Sequence, residues 1–415
     1  MDVPQKLQAL ESAPAQSKAA GYSQLLDSIL ADSSYPERIT PNLVTYCQAI
    51  IGESVGIVPS RTLLNNFVEK LRQITDPEVR IAAGSQALDV IAPKVVSFEE
   101  QDTAIKLILA DAYEINEDYS SSAKVLQTIT LDSSQRSISD NDKAAIWIRI
   151  TRCYLEEDDP THALTYLNRI KNIIFSVTDQ PIRLQFQLSQ ARISDSQRNF
   201  ADASRTYYAV SQETVIDEDD RLQALSAAVR CAILAPAGPQ RAQQLSRLFR
   251  DERAMQIEEY GILEKIFLDR VLTTAEVKAF AEKLQPHQLA LTSDGSTVLD
   301  KAVLEHNLLA ASRLYMNIGT AQLGAMLGVD GEKAEIYAAQ MIEQGRLKGY
   351  IDQIDGLIHF DGVAQQGRSN GSAPAGSKES RMWDENVKNL AEEVERVTTM
   401  IQSEYPEFYA ANMVH

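Results

Sequence analysis

Three patterns in this 415-residue chain predict a mainly α fold: a helical-repeat solenoid, then a small helix-and-hairpin module, then one terminal helix. A short motif ending in alanine recurs four times, its alanines 40, 40 and 39 residues apart. An Asp-Gly pair, Asp355-Gly356, separates two β-prone runs. Beyond residue 383 an apolar stripe advances in alternating steps of four and three.

The repeat cores run Tyr119 to Ala123, Asp159 to Ala163, Asn199 to Ala203 and Gly238 to Ala242. Each opens a helix (AKVLQTI, ALTYLNRI, ASRTYYAV, AQQLSRLF) after a polar or Pro-containing turn. Each turn follows another amphipathic run, as in AAIWIRITRCYLEE. Two helices per unit of this length is the signature of an α-solenoid close to tetratricopeptide-like repeats. Ile146, Ile150, Cys153 and Tyr154 share one stripe, and Leu164, Leu167, Ile170 and Ile174 share the next. One such pair cannot bury its apolar face alone, whereas stacked neighbours can. Asp159-Pro160 reads as an N-cap followed by proline at the first helical position. The alanine in each core predicts a close helix approach. Residues 4–95 also read as mostly helical and extend the array.

The character changes near residue 297. Ser296 to Asp300 reads as a capping-box-like start for DKAVLEHNLLAASRLY, with Leu304, Leu308, Ala311 and Tyr315 on its stripe. A short strand is expected around Ile318. Thr320 then caps AQLGAMLGV, and GEKAEIYAAQMIEQ ends at Gly345, a C′ glycine. Asp355-Gly356 predicts a hairpin with a type I′ turn. Helix, strand, two helices and hairpin make a winged helix. Between Gly319 and Gly345 four acids (Asp330, Glu332, Glu335, Glu343) face one lysine, Lys333, a net charge of −3. A helix meant for the major groove needs the opposite sign. The module therefore predicts contact with another protein, where an edge strand of the wing pairs with a partner.

Residues 362–381 are rich in Gly, Ser, Ala and Gln and read as a flexible linker. Trp383, Val387, Leu390, Val394, Val397 and Ile401 then follow at steps of 4, 3, 4, 3 and 4, the seam of a coiled coil or bundle. The expected organisation is a helical-repeat arm over 1–260, a helix-rich part to about 312 with a winged helix at 313–361, the linker, and a bundle helix over 382–415.

Charge and motif content narrow the function. The formal net charge is −18 and the pI about 4.8, which argues against nucleic acid and anionic membrane. Cys47, Cys153 and Cys231 are sparse and unpaired in pattern, as in a reducing compartment, and no run of about 18 apolar residues occurs. The start MDVPQKLQAL carries no signal-peptide pattern, so an intracellular, soluble protein is expected. His162, His287, His306, His359 and His415 form no H-E-x-x-H or H-x-H set. His306 falls off the apolar stripe of its helix. No phosphate-binding glycine loop or G-x-S-x-G elbow is present, and no catalytic, metal or cofactor site is expected.

The layout of a helical array running into a winged helix resembles the PCI family, shared by the proteasome lid, the signalosome and a translation initiation factor. The blocks ILEKIFLDR (262–270), PHQLALTSDGSTVLDKAVLEHNLLAASRLYMNI (286–318) and AQMIEQGRLKGYIDQIDGLIHF (339–360), with Trp383, are similar to the fourth-subunit family of the COP-nine (constitutive photomorphogenesis) signalosome. The strong part covers about 100 of 415 residues, and the Gly/Ser-rich insert at 362–381 is longer than that family leads one to expect. The alternatives are a PCI subunit of the proteasome lid or initiation factor, which lacks these blocks, and a winged-helix nucleic-acid binder.

The resemblance implies a non-catalytic scaffold and substrate-sensing subunit in the nucleus and cytoplasm. Its complex removes the ubiquitin-like NEDD8 from the cullins of cullin–RING ubiquitin ligases, with the metal-dependent isopeptidase in another subunit. It further implies partners in the other PCI subunits and the catalytic MPN-domain pair, and neddylated cullin–RING ligase met by the N-terminal arm. Assembly is expected through Arg346, Leu347, Tyr350, Ile351, Ile354, Ile358 and Phe360 of the winged helix, and through Trp383, Val387, Leu390, Val394, Val397 and Ile401 of the terminal helix.

Overall fold

In a computed structural model the chain is described over residues 3–11, 15–31, 36–52, 55–132, 138–291, 295–360 and 378–406. These residues form nineteen α-helices and three short strands. They fall into two compact units, Met1–Ala311 and Ser312–His415.

Within the first unit, five helices between Val3 and Ile91 precede the repeats. Their core holds Tyr22, Tyr46 and Phe67, with ring centroids 6.1 and 6.5 Å apart, and continues into Ile105, Ile108 and Leu109 of the first repeat. The repeats then pair Glu99–Ile115 with Tyr119–Gln127, Asp140–Glu156 with Pro160–Ile173, Gln180–Ser196 with Phe200–Ser211, and Glu218–Leu234 with Pro239–Phe249. Every first helix has 17 residues.

The first three pairs share one turn. Glu117, Asp158 and Arg198 each take a left-handed φ, of 60°, 56° and 62°. The next residue donates its N–H back to the helix just ended, at 2.9 Å (Asp118 to Tyr113 O), 2.9 Å (Asp159 to Tyr154 O) and 2.8 Å (Asn199 to Ser194 O). This is the Schellman closure, which satisfies carbonyls the helix end would orphan. Two of these residues then open the following helix. Asp118 accepts from Ser121 N at 3.0 Å, and Asp159 accepts from Thr161 N and His162 N at 3.1 Å, with Pro160 at the first helical position as expected. Those backbone N–H groups hold both carboxyls below the usual carboxylate range.

Ala123, Ala163 and Ala203 are fully buried, the close approach the motif predicts. The fourth unit departs from it: Ala242 is exposed and Arg241 is buried instead. The cause is Pro236. A residue before proline is driven out of the helical region, and Ala235 has ψ 144°, so that helix ends without a left-handed turn. Arg241 covers its last carbonyls, donating Nε to Ala232 O at 3.3 Å and Nη2 to Ile233 O at 3.0 Å. Burial lowers the pKa of this guanidinium to about 10.

Helices Tyr260–Phe267, Thr274–Ala281 and Val298–Leu314 follow. The last opens on the capping box expected there, Thr297 with Asp300: Asp300 N donates to Thr297 Oγ1 at 3.0 Å and Thr297 N to Asp300 Oδ2 at 3.2 Å. Leu304, Leu308 and Ala311 are buried, whereas Tyr315 lies past the helix end and is exposed. His306 lies off the apolar stripe yet inside the fold. It is buried beside Glu305 and Asn307, and together these polar side chains tie down distant backbone. His306 Nε2 lies 2.9 Å from Arg270 O, Asn307 Oδ1 accepts from Leu272 N at 2.9 Å, and Glu305 Oε2 accepts from Ala237 N at 3.1 Å.

The second unit contains the winged helix. Strand Asn317–Gly319 leads to helices Thr320–Leu327 and Gly331–Glu343, then strands Gly349–Asp352 and Leu357–Phe360. Both outer strands pair antiparallel with Leu357–Phe360, which is central. The hairpin differs from a two-residue type I′ turn. Asp352 pairs with Leu357, leaving a four-residue loop in which Asp352 Oδ1 accepts from Ile354 N at 3.0 Å and Asp355 N at 3.3 Å. Only Gly356 of that loop has a left-handed φ, 62°. Its carbonyl accepts from Thr320 N at 2.9 Å, so Thr320 is the first helical residue and the wing supplies its backbone partner, in place of the side-chain cap expected. Gly345 has φ 69°, as a C′ glycine should.

The terminal helix is Lys378–Glu404, so it begins inside the stretch read as linker. Residues 361–377, which include the rest of that stretch, lie outside the described residues, as do residues 407–415 with His415.

Candidate assembly surfaces

The wing residues expected at an interface separate by burial, because side chains on a strand alternate between faces. Leu347, Ile358 and Phe360 are buried in the module's own core, where Phe360 N also donates to Met316 O at 2.8 Å. Their apolar surface is already covered within the chain. Arg346 and Ile351 are half-buried, and Arg346 Nε donates to Gln344 Oε1 at 2.8 Å. Tyr350 and Ile354 are the exposed members. Ile354 stands at the hairpin tip with 96% of its surface in solvent. Tyr350 stacks on its cross-strand partner His359, ring centroids 4.6 Å apart and planes within 11°. Gly349–Asp352 and Asn317–Gly319 are the two edges of the sheet, and strand edges are templates for pairing with another chain.

Further exposed apolar residues of this unit were not read from sequence as assembly residues, although Tyr315 was placed on a helical stripe. Leu314, Tyr315 and Met316 form an exposed run just ahead of the first strand, Met316 at 77%, and Ile336 is exposed on the second helix. The available signal was the apolar run itself, continuing past the point where the helical stripe breaks.

On the terminal helix Val387, Leu390, Val394 and Val397 are exposed, Leu390 at 65%, and Ile401 is half-buried. The side chain of Trp383 lies outside the described residues. A helix whose apolar seam meets water is incomplete by itself, since burial of such a seam is what makes a bundle stable.

On the array, one arginine on the first helix of each of the second, third and fourth repeats approaches an acid on a neighbouring element. Arg149 meets Asp111 at 2.5 Å and Glu114 at 2.7 Å, Arg192 meets Glu156 at 2.8 Å, and Arg230 lies 3.9 Å from Glu259. The Arg149 and Arg192 pairs tie neighbouring elements together. The three cysteines are buried, and burial pushes their thiols up, that of Cys153 to about 11. Little thiolate exists at neutral pH, so none is an activated nucleophile. Among the described residues no group of three or more His, Cys, Asp or Glu side chains is placed to hold a metal ion, and no helix is long and apolar enough to cross a membrane.

Comparison with known proteins agrees with this architecture. The family described as PSMD12/CSN4, N-terminal, matches residues 2–219, and the PCI domain family matches residues 267–361. A COP9 signalosome complex subunit 4 from Emericella nidulans is 51% identical over 397 residues, covering 94% of this chain and 95% of the relative. Those from Neurospora crassa and Arabidopsis thaliana are 44% and 38% identical, covering 95% and 90% of this chain and 95% and 91% of their own lengths. The N-terminal family description carries two names, whereas these whole-length relatives carry one. With the helical array, the winged helix and these relatives together, the chain belongs to the COP9 signalosome subunit 4 family of PCI-domain proteins.

Proposed function

We propose that this chain is a non-catalytic scaffold and substrate-sensing subunit of a signalosome that removes NEDD8 from cullins, acting in the nucleus and cytoplasm. In this reading 1–260 is the arm that meets neddylated cullin–RING ligase, 261–361 joins neighbouring PCI subunits and the catalytic MPN-domain pair, and the helix from 382 enters a bundle. Within the assembly module the contact falls to Tyr350, Ile354 and the adjoining strand edge, with Arg346 and Ile351 at its border. Leu347, Ile358 and Phe360 support that surface from beneath.

The observation that carries the proposal is the exposed seam of Val387, Leu390, Val394 and Val397 in a chain of signalosome relatives. Aspartate at two seam positions puts two charges where a bundle core must be dry. The double variant Val394→Asp, Val397→Asp therefore keeps the fold of the isolated chain, since both side chains are exposed, and loses co-elution with the other signalosome subunits in size-exclusion chromatography. Co-elution equal to the unaltered chain removes the bundle role.

A further inference from the structure

We propose that the groove between the third and fourth repeats binds an extended peptide of the pattern aliphatic-x-aliphatic-x-acid. A cavity of about 610 Å³ opens between helices Gln180–Ser196 and Glu218–Leu234 and the short turn Pro286–Leu289. Concave spaces of a few hundred Å³ hold ligands of this size.

The two walls differ. On the first, Leu184, Leu188 and Arg192 recur every fourth residue and so form one row along the groove, with Leu188 41% exposed. Opposite them stand Ala224 and Ala227, whose small side chains leave the space open, and then Arg230. Buried Tyr207 contributes to the lining. The groove thus passes from an aliphatic slot to a pair of guanidiniums.

Spacing sets the ligand pattern. Four helical residues advance about 6 Å, and two residues of extended peptide advance about 6.6 Å. A strand laid along the row places alternate side chains against Leu184, Leu188 and Arg192. Exposed Gln185 and Gln223 stand one on each wall, and a side-chain amide offers the donor and acceptor that a peptide backbone requires.

Charge sets the direction. Asp220 sits in the first turn of its helix, ten residues before Arg230. It repels an acid at the aliphatic end. At the other end Asp195 is already engaged, accepting from Gln288 Nε2 at 3.0 and 2.9 Å with His287 Nε2 at 3.3 Å, and Glu156 is paired with Arg192. Asp158 is the remaining acid there. Arg230 donates Nη1 to Lys283 O at 3.1 Å and lies 3.9 Å from Glu259, beyond hydrogen-bond length, so most of its five N–H donors are open to an incoming carboxylate.

The test uses the full chain and the fluorescein-labelled hexapeptide acetyl-Leu-Ser-Leu-Ser-Glu-Ser-amide in fluorescence anisotropy. Saturable binding is expected, weakened roughly tenfold or more when the glutamate of the probe becomes glutamine or when Arg230→Gln is introduced, as for loss of a charged hydrogen bond. Leu188→Asp, at an exposed position that leaves thermal unfolding unchanged, weakens it at least as much. Absence of saturation at millimolar chain, or equal affinity of the unaltered chain and the Leu188→Asp variant, overturns the proposal.

Discussion

Asp251 shows how one side chain links stability to pH. Its carboxylate accepts from Arg253 Nε at 3.0 Å (Oδ1), and from Arg253 Nη2 at 2.6 Å and Gln212 Nε2 at 3.1 Å (Oδ2). The hydrogen bonds from Arg253, foremost, hold its carboxyl below the usual range. A group whose folded pKa is depressed stabilises the fold above its unfolded pKa, near 4 for Asp, and loses that contribution as pH falls through the folded value. Asp251→Asn is therefore expected to cost about 1.5 to 3 kcal/mol at about pH 7, the range for a hydrogen bond to a charged partner, and much less at about pH 2. Urea unfolding of both chains at the two pH values measures the gap. A gap that does not shrink in acid refutes the linkage. At this scale the caps were legible: Asp159 and Gly345 stand where local sequence put them. His306 and Arg241 were not, because their backbone partners lie 36 and 9 residues away in the chain and only folding brings them within reach.

Helix pairs show which elements a repeat can specify. Ala163 sits at a fully buried crossing, whereas Ala242, in the same motif position, faces solvent. Ala163→Leu overfills a packed interface and is expected to cost about 1 to 3 kcal/mol, while Ala242→Leu stays within about 0.5 kcal/mol. Thermal or urea denaturation of the two variants decides it, and equal effects contradict the assigned registers. The motif predicted four equal pairs. Pro236 alone changed the fourth, by ending its first helix in extended backbone and bringing Arg241 inward. The wing followed the same logic. Its hairpin was legible in two β-prone runs around Asp355-Gly356, but the loop took four residues, with the Asp352 carboxylate organising two backbone N–H groups.

Across the whole molecule the dominant quantity is the net charge of −18. If the acidic arm steers a basic cullin–RING surface, the association rate falls as salt rises, since exposed charges are screened beyond about 8 Å at physiological ionic strength. Stopped-flow association with neddylated cullin–RING ligase at low and high salt tests this. A rate independent of salt leaves the charge without that role.

Periodicity, capping residues and the alternating seam determined by themselves that this chain is a helical array, a winged helix and a terminal helix. Those signals act over one or two turns and survive without knowledge of the partner segments. Tertiary structure alone decided what each face does. It buried Leu347, Ile358 and Phe360, left Tyr350, Ile354 and the seam from Val387 to Val397 in water, and set Arg192 and Arg230 at the end of one groove. Burial depends on which distant segments meet, and a local pattern marks a face as apolar without saying whether this chain covers it.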